Sequence, residues 1–422
     1  MQKMLLVGGD IATPDAINYC KEIGVHTIMT NHIPLENNPF KQMADESWEI
    51  PVEELDALEA KCREAGVTAV FAGVNEHNLD MTKALAKRLG LPFYASDLAW
   101  NCSRNKNLFK KYCLEAGLDV PKCYTLDDAL KPEDVQRISY PVIMKPTDGC
   151  GSAGITVCYG EEELQNAYQK AFNASAIGEV VVEDYIDGVY VFFMYSLIDQ
   201  KPIIHGSDAN YPIKLNNKNM MCLGTPDTKY WADFEAKYSS NIETLFDRIG
   251  IKHGCVTLQA IYKNGHYYIY EMGYRLDGAG TWRDYKLMHG SSQLEMLVDF
   301  QLGREDRDWR MAGGTGSSKA AFSGYFVYCN PGKIAKITGM DALKKMNEVR
   351  IAANRYKEGD LVKACDSMFD AAFILMIAAR NLTERMKLVK KVNETIHFYD
   401  ENGEDMIIYY DNYDIINDDL KS

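Results

Sequence analysis

Lys145 ends an apolar run, Tyr140–Lys145 (YPVIMK), and the glycine-rich segment PTDGCGSAG follows at 146–154. Gly149, Gly151 and Gly154 make a literal G-x-G-x-x-G. A dinucleotide fingerprint would open a helix at this point. Here the β-branched Ile155-Thr156-Val157 follows, which predicts a second strand and a glycine-rich hairpin loop. Such a loop can fold over phosphates and offer them backbone N–H groups. Lys145, on the strand before it, is placed to meet their charge. A plain hairpin with a surface lysine is the alternative. No G-x-x-x-x-G-K-[ST] occurs.

Two further segments carry chemistry. In Val181–Gly188 (VVEDYIDG) a β-run ends in acids. Its backbone could meet the edge of an adenine, with Glu183 accepting from the amino group; solvated acids at a strand end are the alternative. In Cys255–Gly280, two strands flank Asn264-Gly265, a type I′ hairpin signal. Gln259 and Glu271 lie equally far from Gly265 and can face each other. Glu271 sits among apolar and aromatic residues, where a carboxylate needs a cation. That cation could be Arg275, or a magnesium ion beside a phosphate-clamping arginine.

The elements around these segments change character along the chain. Residues 1–100 alternate strands (Met4–Val7, His26–Met29, Thr68–Ala72) with helices (from Thr13-Pro14-Asp15, Val52–Ala65, Leu79–Leu89), with Thr13 as an N-cap. This predicts a parallel, doubly wound sheet with ligands at its carboxyl ends, near Gly8-Gly9 and Gly73–Glu76. A helix over Asn105–Ala116 follows. β-rich stretches come next at Pro141–Tyr159, Val180–Ile198 and Cys255–Arg275, with a helix from Glu161 to about Phe172. Gly313–Ser318 (GGTGSS) reads as a linker. Beyond it, strands near Phe322–Tyr328 and Lys333–Ile337, a long helix over Ser367–Arg380 and an acidic end suggest an α+β unit.

Together and in this order, the motifs resemble the ATP-grasp superfamily. The likeness is to the branch of biotin carboxylase, carbamoyl-phosphate synthetase halves, purine-synthesis enzymes and L-amino-acid ligases. It implies a multidomain fold of α/β and α+β parts. These are a Rossmann-like pre-grasp domain (1–100), an ATP-grasp domain (101–312) with a mobile lid at about 123–187, and a small C-terminal β-rich α+β domain (319–422). It implies ATP as cosubstrate and Mg2+. By the same resemblance Lys106 and Lys145 contact the nucleotide, and Gly149, Gly151, Ser152 and Gly154 belong to the lid loop. Glu183, Asp184 and Ile186 belong to the adenine hinge. Glu271 and Gln259 are the metal ligands, and Arg275 stabilises an acyl phosphate. The chain departs from the family pattern at Gln259, Gly273 and Tyr190, where many members carry an acid, an Asn and a ribose-binding acid.

The resemblance implies a ligase that joins a small-molecule carboxylate to an amine through an acyl phosphate. A small-molecule kinase and a non-catalytic nucleotide-binding module are the alternatives. Acceptor-pocket candidates are Glu76 and His77, Asn210–Asn219 with Lys214 and Lys218, and Trp282–His289. A formal charge of −14 argues against general binding to nucleic acid or an anionic membrane. The N-terminus is too weakly apolar for a signal peptide or a span. Eleven cysteines without C-x-x-C, and no histidines at i, i+3 or i+4, argue against structural zinc. They read as reduced thiols in a cytosol, and a homodimer is left open.

Overall fold

The computed structural model describes residues 1–126, 130–149, 153–216, 218–226, 229–278, 280–290, 292–304, 321–365, 367–380 and 382–411. The linker reading at Gly313–Ser318 and the acidic end from residue 412 lie outside them.

Four parallel strands open the chain: β1 (Lys3–Val7), β2 (His26–Thr30), β3 (Glu46–Trp48) and β4 (Ala69–Phe71). Their order is β3-β2-β1-β4. The winding therefore reverses between β1 and β4, where doubly wound sheets place ligands. Helices α1 (Thr13–Glu22), α2 (Leu55–Ala65) and α3 (Glu76–Leu89), with a short helical turn over Pro39–Met43, complete this part. Thr13 is the first helical residue rather than the N-cap, which is Ala12. The cause is Asp10, whose side chain accepts from the Ala12 N–H and turns the chain one residue early; the Thr13 hydroxyl accepts from the Asp10 N–H.

Two more helices, α4 (Asp97–Arg104) and α5 (Lys106–Glu115), lead into a separate antiparallel sheet. Its strands are β5 (Cys123–Tyr124), β6 (Val142–Pro146), β7 (Thr156–Cys158) and β8 (Val180–Asp184), in the order β5-β8-β6-β7. Helix α6 (Leu164–Ala174) packs on it. Val142, Met144, Cys158, Leu164, Ala171 and Val182 form a hydrophobic cluster distinct from the main core. This unit has its own interior.

A nine-stranded sheet forms the bulk of the molecule. It is built from β9 (Val189–Ile198), β10 (Lys201–Leu215), β11 (Lys218–Pro226), β12 (Gly254–Lys263), β13 (His266–Gly273), β14 (Ala321–Cys329), β15 (Val349–Asn354) and β16 (Phe373–Ala379). The order is β13-β12-β9-β10-β11-β14-β16-β15, with Ile407–Ile408 pairing β14 beside the path. Helix α7 (Lys229–Ile249) covers it, burying Phe234 against Phe193 with ring centroids 3.8 Å apart. The Asn210–Asn219 segment, read as a possible acceptor pocket, lies in the long hairpin of β10 and β11. Its polar positions lower strand propensity, and pairing with β9 and β14 overrides that.

The helix expected over Ser367–Arg380 is a strand. Ser367 and Asp370 do form a capping box, but it opens a single 3-10 turn, Met368–Asp370. The apolar run that follows, FILMIAA, pairs on both sides, with β14 and with β15. A short apolar run fits a buried strand and a buried helix equally by periodicity. Pairing on both edges satisfies every backbone group of a central strand, and that decides it.

Candidate functional site

Helix α5 starts at the N-cap Asn105, whose side chain accepts from the Leu108 N–H. Its buried face carries Lys106, Phe109, Lys110 and Cys113. Two lysines one helical turn apart thus point into the interior together. The Lys106 Nζ donates to the carbonyl of Gly149 at 2.7 Å and lies 3.4 Å from a Glu271 oxygen. Lys145, on β6, reaches the same region; its Nζ pairs with Glu183 Oε1, while Lys110 pairs with Glu183 Oε2. The ammonium of Lys145 also stands over the ring of Tyr270, 5.2 Å from its centroid. Burial draws Lys145 well below the ordinary lysine range, and Lys110 and Lys106 add repulsion, against the pull of Glu271. Burial lowers Lys110 as well.

Of the two readings of Glu183, a partner for an adenine amino group or a solvated acid, the second does not hold: Glu183 is 2% exposed and held between two lysines. The Asp184 carboxylate accepts from Tyr124 OH at 2.7 Å, and Ile186 is buried. Gly188, which ends the hinge, has no room for a side chain, since a Cβ there would lie 2.4 Å from the Tyr262 carbonyl oxygen. Gly154 has a φ of +72 and sits against Ala174, so it too must be glycine. Gly149 is described, whereas Gly151 and Ser152 lie outside the described residues.

Gln259 and Glu271 are directly paired across β12 and β13, around the turn at Asn264 and Gly265, which both have positive φ. A bulge follows Gln259 and leaves Tyr270 out of the register. Tyr270 OH donates to the Gln259 side-chain oxygen at 3.0 Å. Among the described residues, no group of three or more His, Cys, Asp or Glu could hold a metal. Among the described residues the cation paired with Glu271 is Lys106, not Arg275.

Arg275 has a different partner. Its Nε and one terminal nitrogen donate to Glu76 Oε1 at 3.2 and 3.1 Å, and the other donates to the Leu276 carbonyl. Arg104 pairs with the second oxygen of Glu76. Glu76 is the first residue of α3, at the carboxyl end of β4. The preceding loop is held by Asp10, which accepts from the N–H groups of Val74 and Asn75. Of the other acceptor-pocket candidates, His77 pairs with the exposed Glu53. Trp282 and Arg283 both donate to Asp15 of α1, at 2.8 and 2.6 Å. Asn210 accepts from the Cys222 N–H, and Asn219 donates to Asp187.

Sequence reasoning overlooked Lys110, Arg104 and Tyr270. Lys110 left a signal: it falls on the apolar face of its helix beside Phe109 and Cys113. Arg104 and Tyr270 left none, because their partners lie on other elements.

Residues 105–280 match the family model described as carbamoyl-phosphate synthase L chain, ATP binding domain. The chain is 25% identical over 386 residues to the carbamoyl phosphate synthase large chain of Thermomicrobium roseum, covering 88% of this chain and 35% of that one. It thus spans about a third of the length of that relative. The L-amino acid ligase structure from Bacillus licheniformis superimposes with a TM-score of 0.75 at 17% identity, over 95% of this chain and 99% of that one. The biotin carboxylase domain dimer of 2-oxoglutarate carboxylase from Hydrogenobacter thermophilus, in complex with MgADP and bicarbonate, gives 0.69 at 18% identity, over 96% and 91%. No helix among the described residues is long and apolar enough to cross a membrane. The segment that matches the carbamoyl-phosphate synthase L chain ATP-binding model is thus the one that carries Lys106, Lys145, Glu183, Glu271 and Arg275.

Proposed function

We propose that this protein is an ATP-dependent carboxylate–amine ligase. The observation that carries the reading is the meeting of Lys106, which donates to the Gly149 carbonyl, with Lys145, and an arginine, Arg275, anchored by its own carboxylate partner. In the proposed reaction a substrate carboxylate oxygen takes the γ-phosphoryl group of ATP, giving an acyl phosphate and ADP. An amine nitrogen then attacks the acyl carbon, phosphate leaves, and the amine loses a proton to give the amide. Lys106 and Lys145 bind the nucleotide phosphates, and residues 184–186 receive the base. Arg275 retains N–H donors beyond those it gives to Glu76 and Leu276, and directs them at the charge developing on the acyl phosphate.

The donors present fit magnesium only together with a nucleotide. Glu271 supplies one carboxylate and Gln259 one side-chain oxygen, and magnesium is commonly held by one or two protein ligands plus phosphate oxygens. Bound there, the ion would neutralise phosphate charge. MgADP in the carboxylase domain supports this assignment. The working division of the chain is a pre-grasp part at 1–100, a grasp part at 101–312 with a lid at about 123–187, and a C-terminal part from 319. A soluble homodimer is the assembly to test first, by light scattering.

Phosphate release from MgATP over a panel of paired acids and amines tests the reading. ADP and free phosphate should appear only when both partners are present, together with an amide. A phosphorylated product would mark a kinase instead, and silence across the panel with ATP still bound would mark a binding module. The lid makes a second expectation. Amides in 142–158 should gain protection from hydrogen exchange when ATP binds, because a glycine loop pays a high ordering entropy and stays open until contacts hold it. Equal protection with and without ATP would remove the lid.

A further inference from the structure

Lys110 is 2% exposed, yet it has no place in the reaction above. Its Nζ pairs with Glu183 Oε2 and lies 3.6 Å from the Cys123 sulfur. Glu183 is equally buried and gives its other oxygen to Lys145. Three lysines, Lys106, Lys110 and Lys145, thus stand against two carboxylates, Glu183 and Glu271.

The buried Glu183 carboxylate poses a problem that Lys110 solves. Turning to a phosphate draws Lys145 away from Glu183 and weakens that pairing. If Lys145 were the sole partner, its departure would leave a buried carboxylate uncompensated, which is strongly unfavourable. The carboxylate would then hold the lysine back and repel the phosphates. With Lys110 on the other oxygen, Glu183 stays paired throughout. We propose that Lys110 is a positioning residue of the nucleotide site: by holding Glu183 it frees Lys145 to turn to the phosphates. This rests on the nucleotide reading of the site given above. It also makes the main chain of 184–186, rather than the Glu183 carboxylate, the reader of the base.

Calorimetry with ADP and with adenosine as probes, on the full chain, tests the inference. Lys110→Met should weaken ADP binding at least about tenfold, since an uncompensated buried charge is costly. Adenosine affinity should change much less, because adenosine has no phosphate for Lys145 to meet. The double variant Lys110→Met/Glu183→Gln should bind ADP about tenfold more tightly than Lys110→Met alone, because the charge that traps Lys145 is gone. If Lys110→Met fails to fold, Lys110→Gln replaces it, with a loss in the same direction. ADP affinity equal to wild type, an equal loss for adenosine, or no recovery in the double variant would each overturn the inference. A wild-type protein that binds no ADP would overturn the nucleotide reading itself, and the inference with it, before any variant is compared.

Discussion

Glu271→Gln should reduce turnover about a thousandfold, because charge stabilisation at a metal site is of the order of several kcal/mol and each ~1.4 kcal/mol is a factor of ten in rate. Gln259→Ala should lower turnover by a much smaller factor. The difference follows from charge: Glu271 is the anionic member of the cross-strand pair, and Gln259 is neutral and already accepts from Tyr270 OH. For the same reason magnesium alone should bind weakly, and should bind tightly once ATP is present. Turnover of the two variants and calorimetry with magnesium, with and without ATP, check both statements. An active Glu271→Gln protein would show that Glu271 serves only to pair with Lys106, 3.4 Å away.

Lys145→Ala should weaken ATP binding by about 10–150-fold, the equivalent of the roughly 1.5–3 kcal/mol that a hydrogen bond to a charged group contributes. The fold should survive, because Lys110 remains on Glu183 and keeps that buried carboxylate paired. Equilibrium binding of ATP, set beside the melting temperature, tests this. A large fall in melting temperature with unchanged ATP affinity would make Lys145 a structural counter-charge and remove it from the nucleotide site.

Much of the local structure around these residues was legible in the chain. The glycine loop lies between two strands, as the β-branched Ile155-Thr156-Val157 implied, and β6 and β7 pair there. The Asn264-Gly265 turn sets the register that pairs Gln259 with Glu271. Gly90 ends α3 in the left-handed conformation. Each of these rests on the backbone preferences of a few neighbouring residues, which a short window contains. The strand at Phe373–Ala379 was misread because its apolar run has no periodicity of its own. Its conformation is decided by the neighbours on both of its edges.

The partners of the charges divide along the same line. That Glu271 needs a cation and that Lys145 faces something anionic could be argued from residue type and a hydrophobic setting alone. Which cation and which anion could not. Glu183 is taken by a lysine 73 positions away, and Arg275 by a glutamate 199 positions away. A charge pairs with whatever opposite charge the packed elements bring within a few ångströms of it, where desolvation makes the pairing obligatory. Sequence determines that such a partner must exist; the meeting of α5 with β8, and of α3 with the end of β13, determines which residue it is.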